Sequence, residues 1–133
     1  MIPLVEDDSA SRYALAQILR NKGYEVIEAT DGNEAFRLFE KSHLDLVITD
    51  LRMPNQNGLV LIARIRVKWP NMPILLMSVF LSEAAGKLVA EGLAEFIHKP
   101  IEPEDLIATV QRCMKNGNCS PFQSPSLCRA GSI

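Results

Sequence analysis

Apolar and polar positions along the chain alternate in blocks that switch between strand-like and helix-like spacing. Short and nearly continuous apolar runs, such as Leu44–Thr49, are typical of parallel strands that are covered on both faces. Between these runs, apolar residues recur at the spacing of a helix that buries one face. Five strand–helix pairs with short connections predict an α/β protein with a doubly wound (βα)5 arrangement and a five-stranded parallel sheet.

Capping residues indicate where the helices begin. A serine, threonine or aspartate immediately before a helical apolar pattern can accept the unpaired backbone N–H groups of the first turn. Proline in the first turn also indicates a helix start, because the N–H that proline lacks would have no partner there. The expected helix starts are Asp8–Ser9, Asp31 with Glu34, Ser82, and Pro103, with the last helix running to about Met114.

Pro3 conflicts with the first predicted strand. Proline has no N–H to donate to a neighbouring strand and is therefore rare inside a central strand. We expect this strand to be short or frayed at its start, beside the acidic residues that follow it.

Composition places the chain among ordinary globular domains. Its 133 residues suffice for one domain, and the net charge of −2 does not favour direct nucleic-acid binding by this segment. Three basic residues of the third helix, Arg64, Arg66 and Lys68, are expected on its solvated outer face. No apolar run approaches the ~20 residues of a membrane span and no signal-peptide pattern is present, so a cytoplasmic location without membrane contact is expected.

The pattern ends near residue 115. Residues 116–133 are rich in Asn, Ser, Gly and Pro and are expected to be a linker, a disordered tail or a cloning remnant, which favours a domain excised from a longer protein. Cys113 is expected to pack in the core, whereas Cys119 and Cys128 have no assigned role.

Four predicted strands end in polar residues with complementary chemistry. Glu6 and Asp7 follow the first strand, Asp50 ends the third, Ser78 ends the fourth and Lys99 follows the fifth. The carboxyl ends of parallel strands share one edge of a sheet, where ligands bind in open α/β folds. Carboxylates, a hydroxyl and an ammonium at one edge suit Mg²⁺ together with a phosphoryl group.

These residues, in this order, resemble the receiver domain of two-component response regulators. The resemblance covers roughly residues 1–115 and implies a flavodoxin-like fold with strand order 2-1-3-4-5. It also implies a phosphorylation-activated signalling switch that turns over no external metabolite and catalyses only its own phosphorylation and dephosphorylation. The matching segments are Val5–Asp8, Asp31–Ala35, Asp50–Gly58, Ser78 and Lys99–Pro100.

The resemblance assigns a role to each residue at the phosphorylation site. Asp50 is implied to accept a phosphoryl group from a histidine kinase or a histidine phosphotransfer protein, and Lys99 to contact the phosphoryl oxygens. Ser78 and Phe96 match the hydroxyl and aromatic switch positions. Lys99 and Pro100 are implied to be joined by a cis peptide bond, which is energetically accessible only before proline.

The resemblance also implies Mg²⁺ as the cofactor. Asp7 matches the direct ligand, Glu6 the acid that acts through a metal-bound water, and Asp50 and the backbone carbonyl of Arg52 complete the set. Asp8 is expected to cap the first helix, although a shift of one residue would make Asp7 and Asp8 the acidic pair.

The implied output is a change in a binding surface. Phosphorylation is expected to shift the surface formed by the fourth helix, fifth strand and fifth helix between two arrangements, and the same surface is a possible homodimer face.

A degenerate receiver that acts only as an interaction module is the alternative. A phosphatase of the haloacid dehalogenase type is disfavoured, because Asp50-Leu51-Arg52 lacks its second acid. A nucleotide binder is disfavoured, because Glu6, Asp7 and Asp8 would repel phosphate.

Overall fold

The chain forms one parallel sheet with helices on both faces. The computed structural model describes residues 1–40, 43–51 and 58–116, with the side chains of residues 115 and 116 left out. The strand order is β2-β1-β3-β4-β5, which confirms the predicted α/β class and the order that the resemblance implied. The elements are β1 (Ile2–Val5), α1 (Ser9–Asn21), β2 (Val26–Ala29), α2 (Gly32–Phe39), β3 (Val47–Asp50), α3 (Gly58–Lys68), β4 (Ile74–Ser78), α4 (Glu83–Ala90), β5 (Glu95–His98) and α5 (Pro103–Asn116).

Two hydrophobic layers cover the sheet. Leu4 and its neighbours on one face pack against buried residues of α1 and α5, such as Leu19 and Leu106. Val5 faces the opposite layer, where residues of α2, α3 and α4, including Phe39, are buried. Successive strand residues point to opposite faces, so both sides of each central strand must be apolar. This requirement explains the continuous apolar runs in the sequence.

Three predicted helix starts are confirmed by hydrogen bonds. The Asp8 carboxylate accepts from the Ser11 N–H at 3.0 Å, and the Asp31 carboxylate accepts from the Glu34 N–H at 2.8 Å. The hydroxyl of Ser82 accepts from the backbone N–H of Ala85 at 3.2 Å. These side chains satisfy donors that the first turn of a helix leaves unpaired. A last start, at Pro103, is also found.

Pro3 lies inside β1, and the strand is not frayed at its start. Ile2 is 1% exposed, and its N–H donates to the carbonyl of Glu25 on the β2 side at 2.8 Å. Because N–H groups alternate sides along a strand, the proline nitrogen faces β3, whose pairing with β1 begins only at Leu4 and Ile48. The missing donor therefore falls just before that ladder. Of the two expectations, a short strand is confirmed, since β1 has 4 residues, and a frayed start was wrong.

Arg66 differs from the expected solvated position on α3. Its guanidinium is half-buried and donates to the backbone carbonyls of Pro70, Met72 and Leu93. The contact ties the end of α3 to the segment that precedes β5, on the side of the sheet away from the acidic residues. Burial lowers the pKa of Arg66. The basic cluster predicted on the outer face of α3 therefore loses its middle member.

The last helix extends slightly beyond its predicted end near Met114. α5 ends at Asn116, and residues 117–133, with Cys119 and Cys128, lie outside the described residues. Cys113 is buried in the layer between the sheet and α5, as predicted. Within the described part of the chain, no helix has the length and apolar character needed to cross a bilayer.

Candidate functional site

The carboxyl edge of the sheet carries the polar residues that the sequence singles out. Glu6 directly follows β1, and Asp50 is the last residue of β3. Ser78 ends β4, and Lys99 directly follows β5. Because β1, β3, β4 and β5 are adjacent and parallel, their ends lie side by side. The fold thus places an acid, a second acid, a hydroxyl and an ammonium along one edge.

The Lys99 ammonium joins the two buried acids of this edge. Its Nζ lies 2.5 Å from Asp50 Oδ2, and 3.1 Å and 3.3 Å from the two carboxylate oxygens of Glu6. The Glu6 and Asp50 side chains are 3% and 9% exposed, whereas that of Lys99 is 23% exposed. One cation therefore serves two carboxylates that water reaches only poorly. The shorter contact favours Asp50 as the ionised partner.

Glu6 is the acid that this sharing leaves under-compensated. Burial, a hydrogen bond to Asp50 and the negative charge of Asp50 raise the pKa of Glu6 from 4.5 to about 7, although Lys99 opposes the shift. Two carboxylates held this close cannot both ionise easily without additional positive charge. Burial beside Asp50 therefore favours the protonated form of Glu6.

Lys99 remains a cation in this environment. Burial acts to lower its pKa, but hydrogen bonds and charge interactions with Asp50 and Glu6 outweigh burial and raise the pKa. The ammonium is thus a fixed positive charge, available to any anionic group that binds at the edge. The peptide bond between Lys99 and Pro100 is cis.

Three carboxylates form a cluster that could hold a metal ion. One oxygen each of Glu6, Asp7 and Asp50 lies within 4.8 Å of the others. Glu6 and Asp50 are buried and Asp7 is exposed, so the cluster opens to solvent on one side. Oxygen ligands, excess negative charge and room for water are the properties that Mg²⁺ requires, and these residues fit it. The predicted carbonyl ligand Arg52 lies outside the described residues.

Asp8 is occupied elsewhere. Its carboxylate caps α1 and is not part of the three-residue cluster. The hydrogen bond from Ser11 lowers the pKa of Asp8. Of the two acidic pairs that the sequence allows, the geometry favours Glu6 with Asp7.

Ser78 connects the edge to an exposed apolar segment. The residue is 4% exposed, and its hydroxyl accepts a hydrogen bond from the Phe80 backbone N–H at 3.2 Å. Val79, Phe80 and Leu81 are 58%, 64% and 38% exposed. The hydroxyl therefore helps to set the backbone of the segment between β4 and α4.

Phe96 lies on β5 beside Ser78's strand. It pairs in register with Leu76 and is partly buried against the layer that includes Ala85 of α4. Its ring meets that of His98 edge-on, with centroids 6.2 Å apart. This packing is what both a core residue and a switch residue would show, so the switch role implied for Phe96 stays a prediction.

Gly58 allows α3 to begin directly against the backbone of Asp50. A Cβ atom at this position would lie 2.5 Å from the Asp50 carbonyl oxygen and 2.9 Å from the Leu51 Cα. The Gly58 N–H donates to the Leu51 carbonyl at 2.9 Å. Only glycine fits here, because both atoms belong to the backbone and cannot move aside.

Sequence reasoning missed one residue next to the acids. Arg12 of α1 donates from Nη1 to the backbone carbonyl of Glu6 at 2.9 Å, and from Nε to the Glu28 carboxylate at 3.3 Å. Its position one turn into the helix after an acidic loop is a signal in the sequence. The sequence gives no signal for its partner Glu28 on β2, because that contact depends on the packing of α1 against the sheet.

Comparisons with known proteins agree with this geometry. A family model described as "Response regulator receiver domain" matches residues 2–111. The DNA-binding transcriptional regulator NtrC of Azospirillum brasilense is 34% identical over 126 residues, which cover 94% of this chain and 26% of that protein. The two-component response regulator-like APRR7 of Arabidopsis thaliana is 35% identical over 108 residues, or 77% of this chain and 15% of that protein.

Solved structures with the same fold include isolated receiver domains. The receiver domain of the hybrid histidine kinase CckA superposes with a TM-score of 0.72 at 33% identity, covering 85% of this chain and 97% of that one. The Vibrio cholerae chemotaxis protein CheY4 gives a TM-score of 0.79 at 30% identity, covering 84% and 96%.

The matching region is nearly the whole of this chain but a small part of its curated relatives. It spans 15% of APRR7 and 26% of NtrC. Receiver domains are regulatory domains that bind Mg²⁺ in an acidic pocket and interact with histidine kinases and phosphotransfer proteins. From the family match, the strand order and the acidic edge together, this chain belongs to the response regulator receiver domain family.

Proposed function

We propose that this chain is a phosphorylation-controlled binding switch whose phosphoryl acceptor is Asp50. The observation that carries the proposal is the Lys99 ammonium held between Asp50 and Glu6 at the carboxyl edge of the sheet. A surface acid or a helix cap would have no reason to be buried against a lysine and a second acid. The arrangement instead suits a carboxylate that acts as a nucleophile beside a cation that receives the new charge.

The proposed reaction is transfer from a phosphohistidine to Asp50. A carboxylate oxygen of Asp50 attacks the phosphorus atom, the P–N bond to the donor imidazole breaks, and its electron pair stays on that nitrogen. Protonation of the donor ring, at its other nitrogen before transfer or at the released nitrogen by water afterwards, makes the products an aspartyl phosphate and a neutral histidine. Lys99, already within hydrogen-bond distance of Asp50, then donates to the phosphoryl oxygens.

The acidic cluster is the proposed magnesium site. A bound Mg²⁺ would neutralise charge shared by the carboxylates and the incoming phosphoryl group. Asp7 and Asp50 are the proposed direct ligands, with Glu6 acting through a bound water. In this chain, Lys99 supplies one positive charge against three carboxylates, and burial, together with the hydrogen bond to Asp50 and the negative charge of Asp50, raises the pKa of Glu6.

The proposed phosphoryl donor is a sensor histidine kinase or a histidine phosphotransfer protein. Receiver domains interact with proteins of these classes, and the edge is accessible from outside through the exposed Asp7. The donor must place its phosphohistidine in line with Asp50, so its surface must rest on the rim of this edge. Val79, Phe80 and Leu81 form an exposed apolar part of that rim.

Ser78 is the proposed link between phosphorylation and the binding surface. Its hydroxyl now accepts from the Phe80 N–H, and a phosphoryl group on Asp50 would offer the hydroxyl strong acceptor oxygens instead. A turn of the hydroxyl would release the segment before α4 and allow Phe96 to change its packing. The surface of α4, β5 and α5 would then favour a second arrangement, in which it binds an effector or another copy of the chain.

Nuclear magnetic resonance of the ¹⁵N-labelled chain tests this switch. Addition of acetyl phosphate with Mg²⁺ should shift the amide signals of residues 78–81 and 95–98 in the wild-type protein, and not in Asp50→Asn. In Ser78→Ala, Asp50 should still be phosphorylated while the signals of β5 remain near their starting positions. A phosphorylated wild-type protein whose spectrum changes only at Asp50 and its neighbours would contradict the switch. No phosphorylation at all would leave an interaction module.

A further inference from the structure

Arg12 holds the backbone of the acidic loop from the side opposite the site. The carbonyl of Glu6 accepts from Arg12 Nη1 at 2.9 Å, while the N–H of Glu6 donates to the carbonyl of Ala29 at 3.0 Å. Both backbone groups of Glu6 are therefore fixed, although the residue lies beyond the end of β1. β2 ends at Ala29, so the guanidinium donates to the Glu6 carbonyl where a longer β2 would supply a backbone N–H.

The guanidinium is itself anchored. Arg12 Nε donates to Glu28 Oε1 at 3.3 Å, and the Arg12 side chain is only 16% exposed. Glu28 lies on β2 in register with Leu4, so the anchor belongs to the sheet and not to a mobile surface residue. A planar guanidinium can bind a carboxylate and a carbonyl at once in a fixed direction, which a lysine ammonium on a flexible stem does less well.

Arg20 provides a natural comparison within the same helix. It donates from Nη1 to the other oxygen of Glu28 at 3.1 Å and from Nη2 to the carbonyl of Val26 at 3.0 Å. Arg20 therefore shares the anchor, the helix and the charge of Arg12, but its recorded partners lie on β2 and not on the acidic loop. A difference in Mg²⁺ affinity between variants of Arg12 and Arg20 therefore reports the contact with Glu6.

We infer that Arg12 is a positioning residue for the magnesium site, acting through the Glu6 carbonyl. The inference rests on the proposed function, because it assumes that Glu6, Asp7 and Asp50 hold Mg²⁺. Fixing the Glu6 backbone fixes the direction of the Glu6 side chain and the start of the peptide that carries Asp7. Residues that orient metal ligands commonly change metal affinity by about 10- to 100-fold when they are replaced.

The direction of the change in Mg²⁺ affinity distinguishes positioning by Arg12 from an effect of its positive charge. A nearby positive charge disfavours a bound cation, so if Arg12 acted through charge alone, its removal would strengthen Mg²⁺ binding. If it acts by positioning, its removal weakens binding despite the lost repulsion. Arg12→Lys keeps the charge but cannot reproduce both hydrogen bonds. If Arg12 acts by positioning, this variant should also bind Mg²⁺ more weakly.

Calorimetric titration of the full chain with MgCl₂ tests the inference. We expect Arg12→Ala and Arg12→Lys to bind Mg²⁺ about tenfold more weakly than wild type, and Arg20→Ala to stay within about twofold. Phosphorylation by acetyl phosphate should need correspondingly more Mg²⁺ for half-maximal rate, while the rate at saturating Mg²⁺ changes little. Urea unfolding in EDTA reports any general loss of stability, which both alanine variants would share.

Three results would overturn the inference. Equal Mg²⁺ affinity in the Arg12 and Arg20 variants would make Arg12 a structural residue only, and tighter binding in Arg12→Ala would assign its effect to charge. If the Arg12→Ala variant does not fold, the Arg12→Lys variant decides between these outcomes. Failure of the wild-type chain to bind Mg²⁺ would instead overturn the proposed metal site itself, and the inference with it.

Discussion

At the scale of single residues, the site is defined by one ammonium shared between two buried acids. Lys99 lies closer to Asp50 than to Glu6, so the negative charge of Glu6 is the less well compensated. Burial of Glu6, together with its hydrogen bond to Asp50 and the negative charge of Asp50, raises its pKa. A site arranged in this way favours binding of a cation, because a cation restores the ionised state of Glu6 and separates the two carboxylates electrostatically.

The first prediction concerns stability and pH. Glu6 has a pKa of about 7 in the folded chain and 4.5 as its ordinary value, so between these pH values the native state keeps a proton that the unfolded state has lost. The free energy of unfolding should therefore fall as pH rises through this window. Glu6→Gln removes the effect, and in EDTA we expect it to be about 1–3 kcal/mol more stable than wild type at pH 8 and nearly equal to it at pH 5.

Urea titrations at the two pH values measure this difference. Glu25→Gln, a change of the same chemistry at an exposed glutamate, is the control and should follow the wild type. A stability difference between wild type and Glu6→Gln that is the same at both pH values would show that ionisation of Glu6 is not its source.

The second prediction separates the roles of two neighbouring acids. Asp7 belongs to the three-carboxylate cluster, whereas Asp8 caps α1. Asparagine caps helices about as well as aspartate, so Asp8→Asn should leave both stability and Mg²⁺ affinity nearly unchanged. Asp7→Asn should weaken Mg²⁺ binding more than about tenfold, since replacing even a residue that only orients a ligand costs this much. Titration calorimetry that gave the reverse ranking would make Asp7 and Asp8 the metal-binding pair.

At the scale of elements, the start of α3 supports the end of β3. Gly58 brings the first turn of this helix onto the backbone of Asp50 and Leu51. The closeness is possible only without a side chain, and it fixes the end of β3, where the proposed acceptor Asp50 lies. The site is therefore built by a helix start as well as by strand ends.

The third prediction follows from this contact. Gly58→Ala should destabilise the fold by about 1–3 kcal/mol, because its Cβ would clash with backbone atoms. Gly86→Ala in α4 is the matched control: its Cβ would meet only the Leu81 side chain at 3.9 Å, and the change should stabilise the chain by about 0.5–1 kcal/mol. Thermal unfolding of the two variants checks both signs. Similar effects of the two changes would contradict the close approach of α3 to β3.

Most of the helices and strands could be predicted from the sequence. Alternating apolar runs and helical patterns specify the elements, and Asp31 and Ser82 mark helix starts, because these signals are local. Boundaries were less accurate where tertiary contacts compete with propensity. The sequence pattern of Tyr24–Ala29 predicts the second strand, but Gly23 takes a φ of 93° and the Tyr24 N–H donates to the carbonyl of Leu19. The strand therefore starts at Val26.

At the scale of the whole molecule, the sequence predicted which residues meet but not all that orients them. Asp50, Ser78 and Lys99 end adjacent strands, so the topology alone brings them to one edge. The contacts of Arg12 with Glu6 and of Arg66 with three carbonyls depend on which way long side chains turn when the helices pack against the sheet. No local pattern encodes that direction.

The whole domain presents distinct surfaces on the two edges of its sheet. The acidic site lies at the carboxyl edge, next to the exposed Val79–Leu81 segment. Arg66 closes the opposite edge by joining α3 to the segment before β5. In the proposed switch, a signal that begins at Asp50 reaches α4 and β5 through Ser78, which ends β4 next to β5.

Intact-mass spectrometry after incubation with acetyl phosphate and Mg²⁺ tests the central claim most directly. We expect a single phosphoryl adduct on the wild-type chain, also present in Asp45→Asn, whose aspartate precedes the same strand. The adduct should be absent from Asp50→Asn and from a wild-type sample held in EDTA. An adduct that persists in folded Asp50→Asn, or a folded wild-type chain that takes up no phosphoryl group even from a phosphohistidine donor, would contradict the assignment of Asp50 as the acceptor.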